Sequence, residues 1–158
     1  MLRSLLFVPA DRPERYAKAV ASGADAIILD LEDSVALTSK QAGRDAISAF
    51  LPERRTVRVF IRVNPLDSGM TEADLAAALP GRPDGIVLPK AEGADSVRDL
   101  LTLMGDAALP VLPIATETAA AVFELGTYHQ CRDSLLGVTW GAEDLPAAIG
   151  ASSSREEN

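Results

Sequence analysis

Residues 26–33 read Ala-Ile-Ile-Leu-Asp-Leu-Glu-Asp. Four apolar residues run directly into an acidic segment, with no polar position alternating among them. A short unbroken apolar run suits a strand buried on both faces, the situation of a strand inside a parallel sheet. Its acidic end marks the point where the chain leaves the core. Working outward, further apolar runs of this kind occur at 5–8, 57–63, 85–88, 110–115 and 135–140. Stretches with helical spacing separate them, at 13–21, 39–51, 71–79, 94–104 and 118–125. Strand and helix therefore alternate along the chain, which is the signature of βαβ units with right-handed crossovers. Pro13 suits a first helical turn, and Gly23, Gly105 and Gly126 follow helical runs as stop residues.

This spacing is shared by an eight-fold barrel and an open doubly wound sheet, so periodicity alone leaves both open. A (β/α)8 barrel takes about 250 residues, whereas six apolar runs are used up before the polar stretch 151–158, ASSSREEN, of this 158-residue sequence. If the fold is a barrel, residues 1–150 supply about its first six strands, and 151–158 form a polar tail leading toward a missing C-terminal part.

Composition narrows the function. With 47% hydrophobic residues the chain has material for one core. Fifteen Lys and Arg against 23 Asp and Glu give a net charge of −8, and no basic run exceeds Arg54-Arg55. A broad phosphate-tracking surface is not expected, which rules out nucleic acid as the default partner. The single cysteine, Cys131, rules out an internal disulfide and a thiolate-rich metal site, and fits a reducing compartment. Residues 1–10 end in Pro9 and a charged segment instead of a signal-cleavage site, and no run approaches the roughly 20 apolar residues of a membrane span. The expectation is a soluble cytoplasmic protein.

The chemistry is concentrated where the apolar runs end, positions that a parallel βα architecture gathers on one rim. After the second run come Asp30, Glu32 and Asp33; after the third, Arg62 and Asn64; after the fourth, Lys90; after the fifth, Glu117; after the sixth, Gly141, Ala142, Glu143 and Asp144. Glu117 and Asp144 follow successive strands, about 4.8 Å apart if adjacent. Together they can reach one hard cation such as Mg2+. Alternatively, each caps a helix start. Arg62 suits a substrate carboxylate, or an internal pairing with Asp30, Glu32 or Asp33. Lys90 is either a Schiff-base nucleophile, if its pKa is depressed, or an orienting cation. His129 is the only histidine, which leaves little for a histidine triad. His129 and Cys131 read as surface residues, Trp140 and the methionines as core packing.

Five segments in order carry a resemblance: Leu6-Phe7-Val8-Pro9-Ala10-Asp11-Arg12-Pro13-Glu14-Arg15, Ile28-Leu29-Asp30-Leu31-Glu32-Asp33, Val87-Leu88-Pro89-Lys90, Glu117-Thr118-Ala119 and Gly141-Ala142-Glu143-Asp144-Leu145. As a set they resemble the citrate lyase beta subunit-like proteins of the HpcH/HpaI aldolase superfamily. The resemblance implies a TIM barrel, Mg2+ dependence and homo-oligomers, trimers or hexamers. It also implies a carbon–carbon lyase, or the reverse condensation, acting on a 3-hydroxyacyl-CoA such as citryl-, malyl- or citramalyl-CoA to give an acyl-CoA and a 2-oxo acid.

Residue by residue, it makes Glu117 and Asp144 the Mg2+ ligands and Arg62 the clamp on the carboxylate of oxaloacetate, glyoxylate or pyruvate. Glu32 and Asp33 become the acidic pair that orients metal-bound water or Arg62. Lys90 is an electrostatic group, and Gly141 and Ala142 line the substrate pocket beside Glu117. Two departures stand out. The family commonly has Arg-Gly where this chain has Ala120-Ala121, and its last two strands, with a C-terminal segment supplying a catalytic Asp to a neighbouring subunit, have no counterpart here. A 2-oxo acid aldolase without CoA and a noncatalytic subunit or barrel fragment needing a partner remain the alternatives.

Overall fold

The computed structural model describes residues 2–53, 56–107, 109–141 and 143–151. Its strands are β1 (Leu5–Pro9), β2 (Ala26–Asp30), β3 (Arg58–Arg62), β4 (Gly85–Leu88) and β5 (Val111–Pro113). All pair in parallel, in the order β1-β2-β3-β4-β5. The intervening helices are α1 (Tyr16–Val20), α2 (Lys40–Phe50), α3 (Thr71–Ala78) and α4 (Ala94–Met104), followed by α5 (Ala119–Glu124) and α6 (Asp144–Ala148). The chain is an α/β protein, a partial barrel in which strand order follows sequence order. Among the described residues, no helix is long and apolar enough to cross a membrane.

The sheet separates two apolar layers because successive side chains alternate in direction. Ile27 and Leu29 of β2, Val59 and Ile61 of β3, and Ile86 and Leu88 of β4 pack outward with Ile47, Leu75, Val97 and Leu100 of the helices. On the other face Ala26, Ile28, Phe60, Val87, Leu112 and Ile114 form a thinner apolar floor. Gly85 lies at this floor, where a Cβ would sit 2.9 Å from the Phe60 ring and 2.6 Å from the Pro110 carbonyl oxygen.

The sixth apolar run joins the sheet less completely than expected. It makes isolated parallel bridges, Val111 with Leu135 and Ile114 with Thr139, and Leu136 N donates to Val111 O at 2.8 Å. Gly137 interrupts this run, and a glycine inside a strand weakens it. Gly23 and Gly105 take positive φ after α1 and α4 as anticipated. Gly126 does not stop its helix, because a 3-10 segment, Leu125–Ser134, carries the chain through it. Trp140 is not core but 69% exposed, and Cys131 is half-buried against the outer core instead of lying on the surface. His129 is exposed. Arg54-Arg55 and all of the polar tail after Ala151 lie outside the described residues.

Candidate functional site

Sheet register creates the centre of the polar cluster. Asp30 pairs with Arg62 across β2 and β3, so their side chains stand together on the inner face at the carboxyl ends of the strands. Arg62 Nε and Nη2 donate to Asp30 Oδ1 and Oδ2 at 2.6 and 2.7 Å, a bidentate pairing. The guanidinium carbon lies 4.8 Å from the centre of the Phe7 ring on β1, a cation–π contact. Burial disfavours an ionised Asp30, but Arg62 and the amide donors of the following turn outweigh it and hold its carboxyl below the usual range. Burial likewise opposes the charge on Arg62, and Asp30 more than restores it.

Glu32 extends the network. Arg62 Nη1 stands 2.8 Å from Glu32 Oε2, but off the hydrogen-bonding direction, so this buried oxygen has charge contact and no donor. Glu32 Oε1 accepts from Lys90 Nζ at 2.5 Å. For Glu32 burial prevails over both cations and its pKa is raised. Burial works to lower the pKa of Lys90, and the Glu32 contact overcomes it, so that group is held protonated. This is the opposite of the depressed amine that imine chemistry uses. Asp33 is exposed and only 4.0 Å from Lys90 Nζ, at the edge of the cluster. The internal pairing left open for Arg62 is thus with Asp30 and Glu32, not Asp33.

Lys90 also links the two sides of the rim through its backbone. Its φ of 50° is left-handed, a conformation that costs a side-chain-bearing residue about 1–2 kcal/mol. In this turn Lys90 N–H donates to Glu117 Oε2 at 2.6 Å. Glu117 is 3% exposed. Its burial, and to a lesser degree the neighbouring Asp144 and Glu32 carboxyls, pushes its pKa up to about 7.

The end of the sixth run is tied to the end of β5 by Thr116, whose Oγ1 donates to Gly141 O at 3.1 Å and accepts from Gly141 N at 2.9 Å. A Cβ at Gly141 would fall 2.5 Å from Glu117 Cγ, so only glycine leaves room for this carboxylate. Glu117 is not the helix cap, since Thr118 fills that role for α5 by accepting from Ala121 N at 3.1 Å. Asp144 is the first residue of α6 and does not cap it, because Glu143 occupies the N-cap position and no side chain makes a capping hydrogen bond there. Ala142 lies outside the described residues.

Among the described residues no three His, Cys, Asp or Glu side chains form a ready-made metal cage. Glu117 and Asp144 are two neighbouring carboxyls with no ion pair among those residues. Such a donor set fits a small hard cation that completes its shell with water and substrate oxygens, the habit of Mg2+.

Three contributors were not picked out from sequence. Phe7 looked like any strand residue, and only strand adjacency puts it under Arg62. Lys40 and Asp74 sit within helices, yet both are buried, and they brace the rim loops after β2 and β3. Their signal in the sequence is weak: an acid in a first helical turn and a lysine at a helix start are ordinary surface features.

A parallel βα array with its cations and carboxylates gathered at the carboxyl rim defines a barrel-class α/β protein. Within that class the relationship is specific. The family described as HpcH/HpaI aldolase/citrate lyase matches residues 3–158, and the chain belongs to it. A citrate lyase subunit beta-like protein of Mycobacterium tuberculosis (strain CDC 1551 / Oshkosh) is 43% identical over 156 residues, covering 95% of this chain and 51% of that protein. The mitochondrial citramalyl-CoA lyase of Mus musculus is 30% identical over 174 residues, covering 98% and 51%. The crystal structure of CitE from Mycobacterium tuberculosis in complex with magnesium, acetoacetate and coenzyme A has a TM-score of 0.76 at 40% identity, covering 98% of this chain and 54% of that one. The chain spans about half the length of the curated relatives it matches.

Proposed function

We propose that this chain carries the metal and oxo-acid side of a Mg2+-dependent carbon–carbon lyase. Its substrate is a 3-hydroxyacyl-CoA of the citryl-, malyl- or citramalyl-CoA type, cleaved to an acyl-CoA and a 2-oxo acid or formed in the reverse condensation. The observation that carries the reading is the buried Glu117 carboxyl set against the half-buried Asp144 carboxyl, on the same rim as the Asp30–Arg62–Glu32–Lys90 charge network. The names of the relatives, a lyase of citramalyl-CoA and a CitE complex with magnesium and coenzyme A, support the CoA-linked version over an aldolase acting without CoA.

In this reading Glu117 and Asp144 hold the cation, which supplies Lewis-acid stabilisation of charge developing on the oxo-acid oxygens. Arg62 presents its remaining N–H groups to the substrate carboxylate, in a plane already set by Asp30 and Phe7. Lys90, kept protonated by Glu32, adds positive potential at the rim without forming an imine. Glu32 orients Arg62, and Asp33, at the exposed edge of the cluster, orients bound water. Gly141 lines the pocket wall beside Glu117. No group among these is a free general base for the hydroxyl proton. The assembly in this reading is a homo-oligomer, a trimer or hexamer, which light scattering on the purified protein checks.

Calorimetric titration with oxaloacetate tests the assignment. Binding should require Mg2+ and disappear in Asp144→Ala, and undiminished affinity in that variant would remove Asp144 from the metal site.

A further inference from the structure

One buried charge near the rim is held by backbone carbonyls, with the Asp30, Asp74, Glu32 and Asp33 carboxylates acting on it only from longer range. Lys40, the first residue of α2, is 7% exposed, and its ammonium donates to two backbone carbonyls, Leu31 O at 2.5 Å and Glu32 O at 2.8 Å. No ion pair to Lys40 occurs among the described residues. Burying an ammonium costs free energy that carbonyl dipoles only partly return. A methionine of similar length would avoid that cost but leave both carbonyls without this donor, so one account of a lysine at this place is the satisfaction of those two acceptors.

Its location suggests another. The turn after β2 is held from both sides: Glu32 N and Ser34 N donate to Asp30 at 2.9 and 3.2 Å, while the Leu31 and Glu32 carbonyls are fixed by Lys40. With donors and acceptors both taken, the backbone at Glu32 has little freedom, and its carboxylate is aimed between Arg62 and Lys90. One helical turn further along α2, Arg44 Nε meets Asp74 Oδ1 at 2.8 Å, and Asp74 Oδ2 accepts both Asn64 N and Asn64 Nδ2 at 2.7 Å. Helix α2 therefore delivers one cation toward each of the two rim loops that carry Glu32 and follow Arg62. Lys40 also lines a cavity of about 280 Å3 together with Glu32, Asp33, Asn64 and Lys90.

We propose that Lys40 is a positioning residue: by fixing the Leu31 and Glu32 carbonyls it sets the reach of the Glu32 carboxylate to Arg62 and Lys90, and so tunes the affinity of the rim for a carboxylate-bearing oxo acid. The second half rests on the function proposed above, and the first does not. Lys40 touches neither the oxo acid nor the metal ligands in this account.

The full chain is compared with Lys40→Met and Lys40→Arg by two measurements. Amide hydrogen exchange at Glu32 and Ser34 reads the turn without any ligand, and titration with oxaloacetate and with Mg2+ alone reads the rim. Loss of the two carbonyl contacts should speed exchange at Glu32 about tenfold or more and weaken oxaloacetate about tenfold. Mg2+ alone should bind within about twofold of the original affinity, because Glu117 and Asp144 lie on other loops. Lys40→Arg, which can still reach two carbonyls, should restore both properties. Unchanged exchange at Glu32 in Lys40→Met overturns the proposal, as does an equal loss of Mg2+ and oxaloacetate binding that arginine fails to rescue. If the unaltered chain does not bind oxaloacetate, the functional reading fails while exchange still decides the role of Lys40. Should Lys40→Met not fold, Lys40→Gln is judged by the same criteria.

Discussion

The two halves of the rim are built on opposite electrostatic principles. On β2 to β4, Asp30, Arg62, Glu32 and Lys90 form an alternating chain of charges in which each member touches its opposite. At β5 and the sixth run, Glu117 and Asp144 are like-charged neighbours, and among the described residues no cationic side chain pairs with either. The first half is complete in itself, and its geometry follows from strand register. In the second, burial and the neighbouring Asp144 and Glu32 carboxyls push the Glu117 pKa up to about 7. A rim of this kind has charges paired within the chain on one side and, among the described residues, two carboxyls without an ion pair on the other.

The largest effect should come from breaking the closed half. Arg62→Met leaves the buried Asp30 carboxylate without its cation and Glu32 with Lys90 alone, and removing one partner of a buried pair costs about 3–5 kcal/mol. Urea denaturation measures it, and a loss below about 1 kcal/mol would show that the network contributes little to folding. Gly141→Ala should be next. Its methyl group enters the space of Glu117 Cγ, and overpacking of this kind costs about 1–3 kcal/mol. A neutral result there would mean that the sixth run moves freely against β5.

Titration separates Glu117 from Asp30 by sign. Glu117 has a raised pKa, so its contribution to stability is full below the ordinary value of 4.5 and is lost as pH rises through about 7. Asp30, with a lowered pKa, contributes above its ordinary value and loses that contribution as the solution is acidified. Metal-free protein should therefore lose on the order of 2 kcal/mol between pH 5 and 8, and Glu117→Gln should flatten that slope. A slope that persists in the variant assigns it to another group. The smallest effect belongs to Phe7→Leu, which removes the ring beneath Arg62 and should cost about 0.5–1 kcal/mol in denaturation.

This contrast also explains what could be read from the sequence. Residues 26–33 display both the strand and its exit because a strand buried on both faces has no polar positions until it ends. The same logic gives Arg62, Lys90 and Glu117 as rim residues. Pairing is harder to read: that Arg62 meets Asp30 depends on a register no local pattern encodes. Trp140 misled because apolar type does not imply burial, and it stands at the end of a run attached by two bridges. Lys40 was missed for the converse reason, since lysines are seldom buried and its two acceptors are backbone atoms eight and nine residues earlier.

The central claim is that one half of the rim is closed by the chain's own charges and the other awaits a cation. Thermal unfolding at pH 8 with and without Mg2+, in the unaltered chain and in Glu117→Gln, tests it most directly. The account predicts that Mg2+ raises the Tm of the unaltered chain and leaves the variant unchanged, because a ligand stabilises only the folded state it binds. No rise in the unaltered chain, or an equal rise in both, would contradict it.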